Sequence, residues 1–262
     1  MSEREWTTAK DANDSPQPRP HPSSAWGRAR PQEASSWGRG QASAARPDGR
    51  EQVPAGGAGD CGRATIAGAA LLERAIDYTL GSLRIVTPDA LCHTTPCADW
   101  NLRELLDHMN DTLQTLNEAA TGQIAPYPKS IRAHGANPAL ALRDGARDLL
   151  GHWAAGLAND LISIADRHLT SPMVAAIGAI EITVHGWDIS KSCGEHHPIP
   201  PSLAEELLDL ARLFITRRDR PSRFAPQLMI PPRAPAQNHL LAYLGRDPGW
   251  LPTPDPAGSR QP

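Results

Sequence analysis

The first 60 residues contain almost none of the side chains that build a hydrophobic core. They include no Leu, Ile or Phe, and Val53 is their one branched aliphatic residue. Pro, Gly, Ser, Ala, Arg and Gln fill this segment instead, and WGRA at 26–29 is echoed by WGRG at 37–40. Such a composition cannot bury enough apolar surface to offset the entropy lost on ordering. The sequence therefore predicts a disordered tail over residues 1–60, followed by one folded domain over residues 61–262.

Long apolar runs are missing as well, and cysteines are few. The chain lacks the apolar core of a signal peptide near its start, and no later run is long and apolar enough to span a membrane. The four cysteines, Cys61, Cys92, Cys97 and Cys193, show neither CxxC spacing nor the density of a disulfide scaffold. We therefore expect a cytoplasmic protein in a reducing setting, without a membrane partner.

The charge balance offers little attraction for nucleic acid. The net charge is -3 and the isoelectric point is about 6.4, so no strongly basic surface is expected. The arginines of the first 60 residues are interspersed with acidic residues, which weakens them as a polyanion-binding patch. We therefore expect no nucleic-acid partner. The sequence does not determine the oligomeric state, and a dimer is one of the states it allows.

From residue 64 onward, apolar residues recur at helical spacing between breaks that contain Pro and Gly. Helix starts are marked by Asn101 with Glu104, by Asn137 before a proline, and by Ser202 with Glu205. No stretch alternates as a strand does, apart from a short extended piece at 227–230. The pattern predicts an all-α fold, a four-helix bundle with short C-terminal helical additions. The predicted helices cover 64–83, 101–122, 137–157, 172–190, 202–216 and 236–244.

The stretch EITVHGWDIS at 181–190 places polar residues inside the most apolar of these helices. Glu181, His185 and Asp188 recur at helical spacing and share one face. A buried ionised carboxylate needs a partner, and a carboxylate with an imidazole suits Zn²⁺ or a similar divalent ion. His108, at the margin of the apolar stripe of its own helix, is the best candidate for a third ligand. Three protein ligands leave a position for water or substrate, which is typical of catalytic or ligand-binding sites.

Simpler interpretations of the same residues stay open. Glu181 could pair structurally with His185 or with an arginine, and His108 could be a partly buried histidine with an ordinary hydrogen bond. Asp188 could orient a ligand histidine or accept hydrogen bonds from the backbone at a helix end.

Other chemistry-bearing residues also have two interpretations. His196 and His197 lie in a polar loop flanked by prolines, where solvation competes with a weak second metal contact. Cys97 precedes a helix N-terminus, which would lower its pKa, but a small buried thiol is the simpler role. Trp153 and Trp187 are most simply core residues.

Three motifs carry a family resemblance, TPCADWNLRELLDHM at 95–109, EITVHGWDIS at 181–190 and LLAYLGRDPGW at 240–250. Residues 65–250 resemble the actinobacterial DinB-like metal-binding proteins related to mycothiol-dependent maleylpyruvate isomerase. The resemblance implies a DinB-like four-helix bundle in which His108, Glu181 and His185 bind a divalent metal, usually taken as zinc. It also implies mycothiol as a cosubstrate.

The C-terminal part departs from maleylpyruvate isomerase itself. That enzyme has a separate mixed α/β domain there, whereas this chain ends in a short helical region with a GRDP motif. We therefore predict a metal-dependent S-transferase or isomerase that uses a small-molecule thiol, which the resemblance implies is mycothiol, and an electrophilic substrate. The sequence assigns no catalytic residue beyond the metal ligands. The alternatives are a non-catalytic metal-binding or ligand-sensing helical module, and a helical interaction protein without metal.

Overall fold

The structure of the protein is a computed structural model, and it describes residues 57–97, 100–124, 137–156, 161–164, 167–220 and 224–252. The predicted tail lies outside the described residues, except that residues 57–60 belong to the first helix. Short 3-10 turns follow the first helix, precede the second and follow the fifth. The helices are α1 (Gly57–Ser82), α2 (Leu102–Ala120), α3 (Pro138–Gly156), α4 (Ser171–Ser192), α5 (Pro201–Phe214) and α6 (Ala236–Tyr243).

Two of the three predicted helix starts are confirmed by their hydrogen bonds. Asn101 and Glu104 form a reciprocal capping box. The Asn101 side chain accepts from the Glu104 N–H at 3.0 Å, and the Glu104 carboxylate accepts from the Asn101 N–H at 2.9 Å. Asn137 accepts from the Leu140 N–H at 3.0 Å. The predicted cap at Ser202 is wrong, because α5 begins one residue earlier, at Pro201, without a side-chain cap. Proline suits that first position, since it needs no N–H partner there.

A small sheet, which the sequence pattern did not predict, packs beside the helices. It comprises β1 (Gln123–Ile124), β2 (Leu161–Ile164) and β3 (Arg167–Thr170), in the order β1-β2-β3, with β1 parallel and β3 antiparallel to β2. The predicted extended piece at 227–230 is not part of this sheet, although the Leu228 N–H donates to the Ala242 carbonyl at 2.9 Å. These strands are short, and the predicted all-α class is confirmed.

Helix α4 is the central element, as its composition predicts. It packs against α1 on one side and α2 on another, and α3 completes the bundle against α2. Trp187 of α4 and Trp153 of α3 are both buried, which confirms their predicted place in the core. The C-terminal helices α5 and α6 pack on each other, and α5 also contacts α4. None of the described helices could cross a membrane, since each is too short or too polar.

A glycine allows α1 and α4 to approach closely beside the predicted site. A Cβ atom on Gly186 would lie 2.4 Å from the Thr79 hydroxyl oxygen and 3.2 Å from the Thr79 Cα. That hydroxyl donates to the Ile182 carbonyl of α4 at 2.8 Å. The missing side chain at Gly186 therefore sets the spacing between the two helices immediately after His185.

Candidate metal centre

The structure brings the three predicted ligands together at the interface of α2 and α4. His108 comes from α2, and Glu181 and His185 lie one turn apart on α4. Glu181 Oε2 is 3.3 Å from His185 Nε2 and 4.0 Å from His108 Nε2. One ligand atom from each residue falls within 4.8 Å of the other two. Among the residues the structure describes, this is the one such group of histidine, cysteine and acidic side chains.

The cluster is largely shielded from solvent. The side chains of His108 and Glu181 are each 10% exposed and that of His185 is 5% exposed. The Trp100 ring lies against His108, with ring centroids 4.6 Å apart, and the two histidine rings meet edge to face at 5.0 Å. Trp100 directly precedes the capping residue of α2, so the well-defined start of that helix also positions this aromatic cover.

Burial leaves His108 neutral at physiological pH. Its pKa falls to about 3, chiefly because burial disfavours the charged ring and because His185 lies nearby. A neutral imidazole retains a lone pair on one nitrogen, which is the form that binds metal ions. His108 is therefore already in the protonation state that a metal ligand requires.

Glu181 and His185 stabilise each other's charged forms. Burial alone would raise the pKa of Glu181, but the hydrogen bond and charge of His185, with His108 and Arg246 nearby, lower it overall. Burial would likewise lower the pKa of His185, but hydrogen bonds to Asp188 and Glu181 raise it. Without a metal, the pair thus forms a buried ion pair, the structural interpretation that the sequence left open.

Asp188 contacts the far side of the His185 ring. Its Oδ2 atom lies 2.9 Å from His185 Nδ1, and its side chain is fully buried. A carboxylate there accepts the Nδ1 proton and leaves Nε2 directed at Glu181, the geometry expected of a residue that orients a ligand histidine. Arg246, which the sequence pattern did not predict, also lies beside this carboxylate, and its Nη2 is 3.4 Å from the same Asp188 oxygen. The GRDP motif at its position was the signal for it.

The other histidines singled out in the sequence lie elsewhere. His197 stacks on Tyr78 with ring centroids 4.7 Å apart, and its Nε2 is 3.2 Å from the Tyr78 carbonyl oxygen. His196 is exposed. Cys97 lies in the turn before α2, where its carbonyl accepts from the Trp100 N–H at 2.9 Å. None of these three residues belongs to the cluster.

The fold and the cluster together define a class, a helical bundle with a candidate His₂Glu site for a divalent metal. Residues 72–190 match the family model of the mycothiol maleylpyruvate isomerase N-terminal domain. This match confirms the resemblance inferred from the motifs, and the matched segment contains all three clustered residues.

Two curated relatives extend the comparison beyond the matched segment. The chain is 26% identical over 179 residues to the uncharacterized proteins MT0763 of Mycobacterium tuberculosis (strain CDC 1551 / Oshkosh) and Rv0738 of M. tuberculosis (strain ATCC 25618 / H37Rv). Each alignment covers 66% of this chain and 94% of the relative. No solved structure matches this chain significantly.

Proposed function

We propose that the protein binds one divalent metal ion, zinc by the chemistry of its donors, through His108, Glu181 and His185, and uses it in thiol-dependent chemistry. The observation that carries this proposal is the convergence of two imidazole nitrogens and a carboxylate oxygen within 4.8 Å, in a buried position between two helices. The match to the mycothiol maleylpyruvate isomerase N-terminal domain supports the choice of mycothiol as the thiol.

Two of the three distances between donor atoms are close to those expected around a tetrahedral ion. Zinc–nitrogen and zinc–oxygen bonds of about 2.0–2.1 Å place neighbouring ligand atoms about 3.4 Å apart. The 3.3 Å between Glu181 and His185 already has this value, and the 4.0 Å between Glu181 and His108 needs only a small side-chain adjustment. Three protein donors leave a fourth position for a small ligand.

The surrounding residues have separate roles in this proposal. A bound divalent ion would supply Lewis acidity that lowers the pKa of a coordinated thiol. His108, Glu181 and His185 hold the site, Asp188 orients the His185 ring, and Trp100 keeps water away from His108.

The reaction proposed for the thiol is addition to an electrophilic double bond. The S–H bond of the thiol breaks and its sulfur forms a bond to carbon. The π-electron pair moves toward the electron-withdrawing group, where it takes up the proton that the thiol released. If the reaction stops at this adduct, the thiol has been transferred to the substrate through its sulfur, which is S-transfer. Rotation about the resulting single bond followed by elimination gives cis–trans isomerisation and regenerates the thiol.

A turnover assay with matched variants tests this function. Zinc-loaded full-length protein would be incubated with mycothiol and a panel of electrophiles, including cis-dienoic acids, and product formation followed by mass spectrometry. We expect turnover that requires both thiol and metal, is lost in Glu181→Gln, and is retained in His196→Ala, which changes an exposed histidine outside the cluster. If no electrophile in the panel were turned over in the presence of the thiol, the enzymatic proposal would be contradicted.

One observation favours a second candidate function, a non-catalytic metal-binding or ligand-sensing module. The ligand side chains are at most 10% exposed, and Trp100 covers one of them. A closed site of this kind would bind metal tightly without an exchangeable water, and chelation would strongly destabilise the fold. Water-proton relaxation in the Mn²⁺ or Co²⁺ form separates the two functions, because fast exchange of a bound water indicates the open position that catalysis requires.

A further inference from the structure

Arg246 reaches the metal centre from the C-terminal segment, beyond the residues that match the family model. It follows Gly245, which lies two residues beyond the end of α6, has a φ of 80° and leaves no room for a side chain against Ala225. The Arg246 N–H donates to the Leu241 carbonyl at 2.8 Å. This tight turn directs the arginine side chain into the protein, where it is only 11% exposed.

The Arg246 guanidinium contacts the carboxylate oxygen that also binds His185. Asp188 Oδ2 lies 3.4 Å from Arg246 Nη2 and 2.9 Å from His185 Nδ1. Arg246 Nη1 donates to the Leu244 carbonyl at 3.2 Å, which holds the guanidinium in place from behind. A continuous chain of contacts therefore runs from the C-terminal segment through Asp188 and His185 to Glu181.

We infer that Arg246 is a positioning residue for the metal centre. It holds the Asp188 carboxylate against His185 Nδ1 and thereby directs His185 Nε2 at the ion. This inference rests on the proposed function, because it assumes that the cluster binds metal. It assigns the GRDP region a role in completing the site, although that region lies outside the matched residues 72–190.

The sign of the effect separates positioning from simple electrostatics. A guanidinium near a divalent cation repels it, so Coulomb repulsion alone predicts tighter metal binding when Arg246 is removed. Positioning predicts the opposite, because the Asp188 carboxylate would be buried without its cationic partner and would no longer hold the His185 ring. Residues that orient metal-binding histidines typically change metal affinity by about 10–100-fold when they are mutated.

Competition with a chromogenic chelator measures the zinc affinity of the full-length chain directly. We expect Arg246→Met to weaken zinc binding by about 10–100-fold. Arg246→Lys should recover part of this loss, because it keeps the charge but not the planar fork. In an Asp188→Asn background, Arg246→Met should have little further effect, since both changes break the same chain of contacts.

Arg220→Met is the matched control for this experiment. Arg220 donates to the carbonyls of Ala225 and Tyr243, and its guanidinium carbon lies over the Phe224 and Tyr243 rings. It therefore anchors the same C-terminal segment through contacts other than Asp188. We expect its zinc affinity to stay close to that of the wild type. Thermal unfolding of the metal-free forms would be measured alongside, so that loss of folding is detected separately. If Arg246→Met does not fold, the zinc affinity of Arg246→Lys is compared with that of the wild type instead.

Three results would overturn the inference. Unchanged or tighter zinc binding by Arg246→Met, in protein whose wild type binds zinc, excludes positioning and leaves the proposed function intact. An equal loss of affinity in Arg220→Met would assign the effect to docking of the whole segment. A wild type that binds no zinc would refute the proposed function itself, and the inference with it.

Discussion

The close approach of α1 to α4 leaves no room for a side chain at Gly186. In Gly186→Ala, the new methyl carbon would lie 2.4 Å from the Thr79 hydroxyl oxygen and 3.1 Å from its Cβ. The hydroxyl cannot move away without losing its bond to the Ile182 carbonyl, and Thr79 is only 4% exposed. The Thr79 Cα at 3.2 Å belongs to the backbone, so α1 itself would have to shift.

The expected cost follows from these contacts. Overpacking costs about 1–3 kcal/mol and an unpaired buried hydroxyl a similar amount, while alanine in place of glycine returns about 1 kcal/mol of helix propensity. The net loss in the free energy of unfolding should be about 1–5 kcal/mol, which lowers Tm by about 2–20 °C for a domain of this size. Because His185 directly precedes Gly186, the cluster should be perturbed as well.

Two other glycines make the measurement a graded series. Gly151→Ala on α3 meets no atom within 4 Å, so it should be neutral or stabilise the protein by up to about 1 kcal/mol. In Gly178→Ala, the new methyl carbon would lie 2.7 and 2.9 Å from the methyl carbons of Leu116, which can shift because they end a side chain. We therefore expect a change in stability between those of Gly186→Ala and Gly151→Ala. Thermal unfolding of all three metal-free variants by circular dichroism tests this order. Equal Tm values for Gly186→Ala and Gly151→Ala would refute the packing argument.

Three further predictions concern the start of α2 and the protonation of the cluster. Asn101→Ala removes half of the capping box and should cost about 1 kcal/mol in urea unfolding, so an unchanged midpoint would contradict that role. In metal-free protein, the pKa of His108 is about 3 when folded and near its ordinary 6.5 when unfolded, so its contribution to stability is lost as the pH falls below 6.5. Between pH 7 and pH 5, the free energy of unfolding of His108→Gln should therefore fall by about 2 kcal/mol less than that of the wild type. The raised pKa of His185 acts on stability in the opposite direction in both proteins. Zinc affinity should fall as the pH is lowered, because protons compete for His185 Nε2, and a pH-independent affinity would argue against this residue as a ligand.

The candidate site could be predicted from local patterns because its residues lie on regular helices. Glu181 and His185 are separated by one turn of an apolar helix, so their shared face follows from helical geometry alone. His108 lies on the next most clearly marked helix, whose start at Asn101 is a strong local signal. The family resemblance selected the same three residues independently.

Arg246 could not be placed in this way. It pairs with Asp188 across 58 residues of sequence, and that contact depends on how α6 packs and on the turn at Gly245. The sequence pattern did not predict strands β2 and β3 for a related reason. Each is four residues long, and the stability of so short a strand comes from its partner rather than from its own alternation.

Metal content measured by elemental mass spectrometry is the most direct test of whether His108, Glu181 and His185 bind a metal ion. The full-length chain would be purified without a histidine tag and compared with its His108→Ala and Glu181→Ala variants, with circular dichroism to confirm that each is folded. We expect about one divalent ion per wild-type chain and a large loss of metal in both variants. Equal and negligible metal in all three proteins would contradict it, and would mean that Glu181 and His185 form a structural ion pair.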